Sequence, residues 1–177
     1  MKLAATSLVI LDLMLAAFSA QAAELRVTVT GVRSEAGELL IGLYETAKGF
    51  EGAIANADRS GLMPDPNRIV GVALRASSGA QQAIFAQLPA GRYAVIVVHD
   101  ENDNGRLDAN AIGVPMEGYG FSNDARGFLS APSFDAAAVP VGESDESITI
   151  ALKYPAAVSR NDSAEYDQFF GGPQARK

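Results

Sequence analysis

From Leu25 onward, apolar and polar residues alternate. Leu25, Val27 and Val29 fall on one face of the first run and Arg26, Thr28 and Thr30 on the other. That is the period of a half-buried strand. A second run, residues 39–44, follows the turn-forming Glu35-Ala36-Gly37, so the two runs predict a hairpin. Residues 46–57 lose the period of two and predict one short helix carrying Phe50 and Ile54, and "SGLMPDPN" after it is loop by its glycine and prolines. Strand patterns resume at residues 69–76 and 83–88. "GRYAVIVVH" is the strongest of all, with Tyr93, Val95 and Val97 on one face and Ala94, Ile96 and Val98 on the other. A strand apolar on both faces is central and covered on both sides. Two more runs, 136–141 and 147–153, complete the pattern. Seven short strands with turn signals between them predict an all-β chain folded as a β-sandwich, with one short helix and one long ordered loop.

The entry to the central strand, "LPAGRY", places Tyr93 just inside a Pro-Gly turn. The ring can pack in the core and return its hydroxyl to backbone at the sheet edge, or it can be an ordinary half-buried strand tyrosine.

Composition changes this picture at the two ends. Lys2, a mostly apolar run to Phe18 (interrupted by Asp12) and Ala20-Gln21-Ala22 have the layout of a cleaved secretory signal. Residues 1–22 are therefore expected to be removed, leaving a sandwich domain at 23–153 and a flexible polar tail at 154–177. The run is too short to predict a membrane span. The chain has no cysteine, so disulfides cannot brace it, but about 130 residues suffice for a core. The net charge of −7 comes with basic residues scattered singly, which argues against nucleic acid and anionic membranes as partners. Location is expected to be periplasmic or secreted. The Asn161-Asp162-Ser163 sequon in the tail is too short a match to carry weight.

The chemistry concentrates after the central strand. Asp100, Asn102 and Asn104 occupy the first, third and fifth positions of a calcium-loop pattern, with Gly105 at the sixth, Arg106 offering its carbonyl at the seventh and Asp108 at the ninth. The twelfth position, normally a bidentate glutamate, is Ala111, and a strand precedes the loop where an EF-hand has a helix. Glu117 is the first choice for the missing ligand, because Gly113, Pro115 and Gly118 can turn the chain back. Asp103 and Asp124 are weaker choices. A bound Ca2+ with affinity on the order of 10⁻⁴–10⁻³ M is one expectation. An ion-free turn is a second, since Asn, Asp and Gly form such turns unaided, and another hard cation on the same oxygen-only ligand set is a third.

His99, the single histidine, cannot build a zinc site alone and is expected to be packed and hydrogen-bonded at the strand end. Tyr119, Phe121, Phe128 and Phe134 either pin the long loop to the sandwich or form an exposed stacking platform for a sugar or peptide.

The segments H-D-E-N-x-N-G-x-L-D (residues 99–108) and G-x-P-x-E-G-Y-G-F-S (residues 113–122) resemble a bacterial family of exported proteins catalogued as domain of unknown function 2141. The resemblance covers roughly residues 25–152. It implies an envelope or secreted β-sandwich similar to immunoglobulin-like and transthyretin-like (prealbumin-like) domains, and implies no activity. The expected role is a non-catalytic binding module for a protein, glycan or small ligand, its long loop ordered by calcium. The alternative is a periplasmic hydrolase using carboxylates of the same loop, although no G-x-S-x-G elbow or second histidine is present. A carrier holding a small apolar ligand inside the sandwich is a third reading.

Overall fold

The structure is a computed structural model that describes residues 22–111, 113–126 and 131–155. The segment read as a signal, apart from Ala22, and the tail beyond Pro155 lie outside the described residues, as do Phe128 and the sequon.

The chain is mostly β, in two sheets, with few helices. Eight strands are present among the described residues, one more than the pattern predicts. They are β1 (Ala23–Thr30), β2 (Glu38–Tyr44), β3 (Val70–Arg75), β4 (Gln81–Leu88), β5 (Gly91–Asp100), β6 (Gly118–Phe121), β7 (Val139–Val141) and β8 (Glu146–Ala151). The first sheet has the order β4-β1-β8 and the second the order β3-β2-β5-β6, with β7 pairing the first residues of β5.

The predicted hairpin of the first two runs does not form. β1 pairs antiparallel with β4 and parallel with β8, while β2 pairs with β3 and β5. The turn at residues 35–37 thus arches from one sheet to the other. The inner faces explain why: Leu25, Val27 and Val29 pack against Leu39, Ile41 and Leu43 across the sandwich rather than beside them.

β5 is the central strand its pattern predicts. Tyr93, Val95 and Val97 join the core between the sheets. Ala94, Ile96 and Val98 face a second apolar layer, built from the helices α1 (Ala47–Ala55) and α2 (Phe134–Ala137) with Leu62 and Ala125. Thr46 starts α1, its hydroxyl accepting the Gly49 N–H at 3.1 Å, which satisfies one of the free donors of the first turn. Phe50 then meets Tyr44, Phe121 and Phe134 edge to face. The run expected as a strand at 136–141 is split between the end of α2 and β7. The Tyr93 hydroxyl donates to the Pro89 carbonyl at 2.8 Å, so the corner reading holds.

The unpredicted strand is β6, inside the long loop. Gly118 and Gly120 face the sandwich, where a Cβ would overlap Tyr154 and Ile150, and Tyr119 and Phe121 face the helices. Ser122 ends the strand. It is fully buried, accepting from Val95 N at 2.9 Å and donating to the Ala137 carbonyl at 2.6 Å. Among the described residues no helix is long and apolar enough to cross a membrane.

Candidate functional site

β5 delivers Asp100 to the start of the acidic loop, and the side chain is 2% exposed. One of its oxygens accepts the Asn104 N–H at 3.1 Å and the other the Gly105 N–H at 2.6 Å. Asn102 accepts the Asn104 N–H at 3.2 Å, and Asn104 accepts the Arg106 N–H at 2.9 Å. The amide nitrogens of Asn102 and Asn104 both donate to Asp108, at 2.8 and 2.9 Å. Gly105, with φ of +79°, makes the bend a side chain would resist.

Glu117 closes the loop from the other side, as the turn residues around it predicted. It is 5% exposed, and its carboxylate accepts the Glu101 N–H at 2.8 Å and the Asp108 N–H at 2.9 Å. One side chain thereby ties the start of the loop to its end. Asp100, Asn102, Asn104, Asp108 and Glu117 form one hydrogen-bonded network, entered by the backbone of Arg106. The two weaker candidates point elsewhere: Asp103 pairs with Arg75 at 3.3 Å, and Asp124 accepts from the Ala151 N–H at 3.5 Å.

Two glycines that the motif does not contain clamp this loop. A Cβ at Gly37 would overlap the Asp100 carbonyl oxygen, and one at Gly61 would overlap that of Gly105. Both have positive φ, +70° and +71°. Leu107 N–H donates to the Ala57 carbonyl at 3.0 Å, fixing the end of the loop to the segment after α1. No local sequence signal connects these positions, because the contacts are made only when distant segments meet.

The electrostatics are one-sided. Burial pushes the Glu117 carboxyl above the usual glutamate range, and the nearby Asp100 and Asp108 add to the effect against the pull of its two N–H donors. Glu101, in contrast, is held below that range by its bonds to Arg33 and Ser34. Arg33 is close enough to sense Glu117, but its guanidinium is engaged with Glu101. Among the described residues, Asp100, Asp108 and Glu117 form no ion pair.

An ion at this place would meet only hard oxygens, the ligand type calcium requires. Among the described residues no three His, Asp or Glu side chains are gathered closely enough to hold a metal ion by themselves. The amide and carbonyl oxygens would therefore have to share the work.

His99 is fully buried and makes two hydrogen bonds, as expected of a packed strand-end histidine. Nε2 donates to the Ala36 carbonyl at 2.8 Å, and Nδ1 meets the Tyr154 hydroxyl at 2.6 Å. A carbonyl only accepts, so Nε2 is a nitrogen that carries a proton. Tyr154 also accepts the Arg33 N–H at 3.2 Å and lies beneath the Arg33 guanidinium at 4.3 Å. The first residue assigned to the tail is thus part of the packed end of the domain.

The sequence matches the model of the family described as "Uncharacterized protein conserved in bacteria (DUF2141)" over residues 27–149. The chain belongs to this family. Within the DUF2141 match lie every strand from β2 to β7, the acidic loop and Glu117. No curated protein matches the chain significantly. Among solved structures it is similar to the pilus-presented adhesin Spy0125 (Cpa), at 14% identity and a TM-score of 0.31 in one crystal form, covering 77% of this chain and 28% of that one. A Cys426Ala mutant of the same adhesin gives 16% identity and a TM-score of 0.29, covering 76% and 28%. The DUF2141 chain thus spans little more than a quarter of the adhesin, and a likeness this low carries no weight for fold or role.

Proposed function

We propose that this chain is an exported, non-catalytic binding module with an immunoglobulin- or transthyretin-like sandwich, and that a calcium ion orders its 100–117 segment. The single observation behind the proposal is the one oxygen-rich hydrogen-bonded network that joins Asp100, Asn102, Asn104, Asp108 and Glu117, whose three carboxylates have no cation paired to them among the described residues. Like charges so placed disfavour the folded loop, and a divalent ion offsets that repulsion. Asp100, Asn102, Asn104, Asp108, Glu117 and the Arg106 carbonyl would hold it, and the ion would take the place of the two amide donors on Asp108. Because few of the donors are charged, affinity is expected on the order of 10⁻⁴–10⁻³ M.

Calcium at roughly ten to a hundred times that Kd would stabilise the folded form by about 1.4–2.7 kcal/mol. Melting should then occur several degrees higher in calcium than in chelator, about 3–10 °C for a domain of this size. Magnesium should do less, because it demands a tighter octahedral shell. An unchanged melting curve, together with metal-free purified protein, would leave an ion-free turn as the correct description. The module would act in the periplasm or outside the cell, presenting its loop face to a protein, glycan or small ligand.

A further inference from the structure

A cleft of about 670 Å³ lies between the end of α1, residues 107, 109 and 113–115, and the outer face of β6. That size suits a small organic ligand. Ile54, Leu107, Val114, Tyr119 and Phe121 give it apolar walls. Val114 is 42% exposed, an apolar side chain left open to water on the cleft wall.

Its charge runs against the rest of the molecule. In a chain of net charge −7, the cleft is lined by Arg126 and Lys153, neither of which forms an ion pair among the described residues. Asp58 is the acid on the same wall, and Arg59 already faces it at 3.9 Å. The Lys153 backbone is fixed by exchanging hydrogen bonds with Tyr119 at 3.0 and 2.8 Å. Lys153 therefore leaves the backbone directly opposite Tyr119, whose ring lies 5.9 Å from that of Phe121, edge to face.

We propose that this cleft binds a small amphipathic organic anion, its apolar body against Tyr119, Phe121, Leu107 and Val114 and its acidic group toward Arg126 and Lys153. The assignment rests on the binding half of the function proposed above and gives it a ligand class. It also places the ligand beside the acidic loop, since the lining residues Leu107 and Ala109 flank Asp108 and Pro115 lies two residues before Glu117. The apolar residues of the two inner faces form one continuous cluster between the sheets, separate from this cleft.

The test uses the purified chain and three C10 probes: decanoate, decanol and decyltrimethylammonium, each competed against the fluorescent sulfonate 8-anilinonaphthalene-1-sulfonate. One decanoate should displace the dye from each folded chain, and decanol should need about tenfold more, the ratio expected from about 1.4 kcal/mol of charge attraction. The cationic probe should be weaker still, and added salt should narrow the gap. The double variant R126M/K153M keeps the aliphatic stems and should melt as the parent does. In it, decanoate and decanol should compete within about twofold of each other.

Absence of dye binding to the folded parent overturns the proposal. So does a decanoate preference that survives in R126M/K153M. A rise of about tenfold in dye affinity in F128A/L129A, residues outside those described, would give the cleft to the chain's own side chains and also overturn it. If decanoate binds while calcium leaves melting unchanged, the cleft stands and the metal proposal falls. A calcium shift without dye or decanoate binding has the reverse meaning.

Discussion

Two irregular segments meet at Gly61 and Gly105, and they are held by opposite means. In the acidic loop, each side chain from Asp100 to Asp108 that matters to the turn accepts or donates a hydrogen bond, and Glu117 joins its ends. The 56–69 segment packs Leu62 against the helix layer and has Arg68 donating to the Leu62 and Met63 carbonyls. Beneath it the Tyr44 hydroxyl, an Asp65 carboxylate oxygen and Arg68 Nε are buried, close to one another but with no partner in good hydrogen-bond geometry among the described residues. Burial, with Asp65 nearby, raises the Tyr44 phenol above the ordinary tyrosine range. The polar segment is the satisfied one and the more apolar segment is not. Charged residues in a loop therefore do not mark it as loosely held; what counts is whether their oxygens find backbone donors.

The most disruptive way to break this comparison is Gly61→Ala. It combines positive φ with overlap on the Gly105 carbonyl, so both segments should loosen together, at a cost of about 3 kcal/mol or more in denaturant unfolding. A cost below about 1 kcal/mol would show that the two segments are not coupled there. Glu117→Gln comes next. An amide can accept from one of the two N–H donors but presents its own N–H₂ to the other, so a loss of about 1–3 kcal/mol is expected. Asp103→Asn, by contrast, removes an exposed pair with Arg75 and should change stability by under about 1 kcal/mol.

Acidity offers a milder probe, measured in chelator. The raised Glu117 carboxyl takes up its proton more readily folded than unfolded. Its unfavourable contribution is therefore present above its folded pKa and is relieved as pH falls through that value toward the ordinary glutamate range. Glu101 has the opposite sign, and its stabilisation is lost only as pH falls below that range. Melting temperature should thus carry an acid-side gain that Glu117→Gln abolishes and Glu101→Gln does not. Under the calcium proposal, protons compete with the ion, so the calcium shift should shrink as pH falls.

The smallest expected effect is the most discriminating for the second segment. Tyr44→Phe removes a buried hydroxyl with no partner in good geometry among the described residues, so stability should be unchanged or gain up to about 1 kcal/mol. A loss of that size would mean that the hydroxyl bonds Asp65 in solution.

Much of this fold was legible from periodicity. The two apolar faces of β5 predicted a covered central strand, and loss of the period at residue 46 predicted α1. The D-x-N-x-N-G spacing with Glu117 predicted which side chains would meet. β6 escaped because glycine is depleted in strands, although Gly-Tyr-Gly-Phe alternates with a period of two; only neighbouring Tyr154 and Ile150 show why glycine is needed there. Tyr154 looked like the start of a tail because its partners, Arg33 and His99, are far away in sequence.

By itself, then, the sequence determined most of the strands, the two apolar faces of the central one, and that an oxygen-rich turn follows it. These properties depend on neighbours two to nine positions apart, which local sterics and spacing control. Tertiary structure alone decided that β1 and β2 part to different sheets, that β8 lies parallel to β1, and that Gly37 and Gly61 clamp the turn. It also decided that Arg126 and Lys153 share one apolar cleft. Each of these depends on segments far apart in the chain packing against a common core, and no local pattern records which distant partner wins.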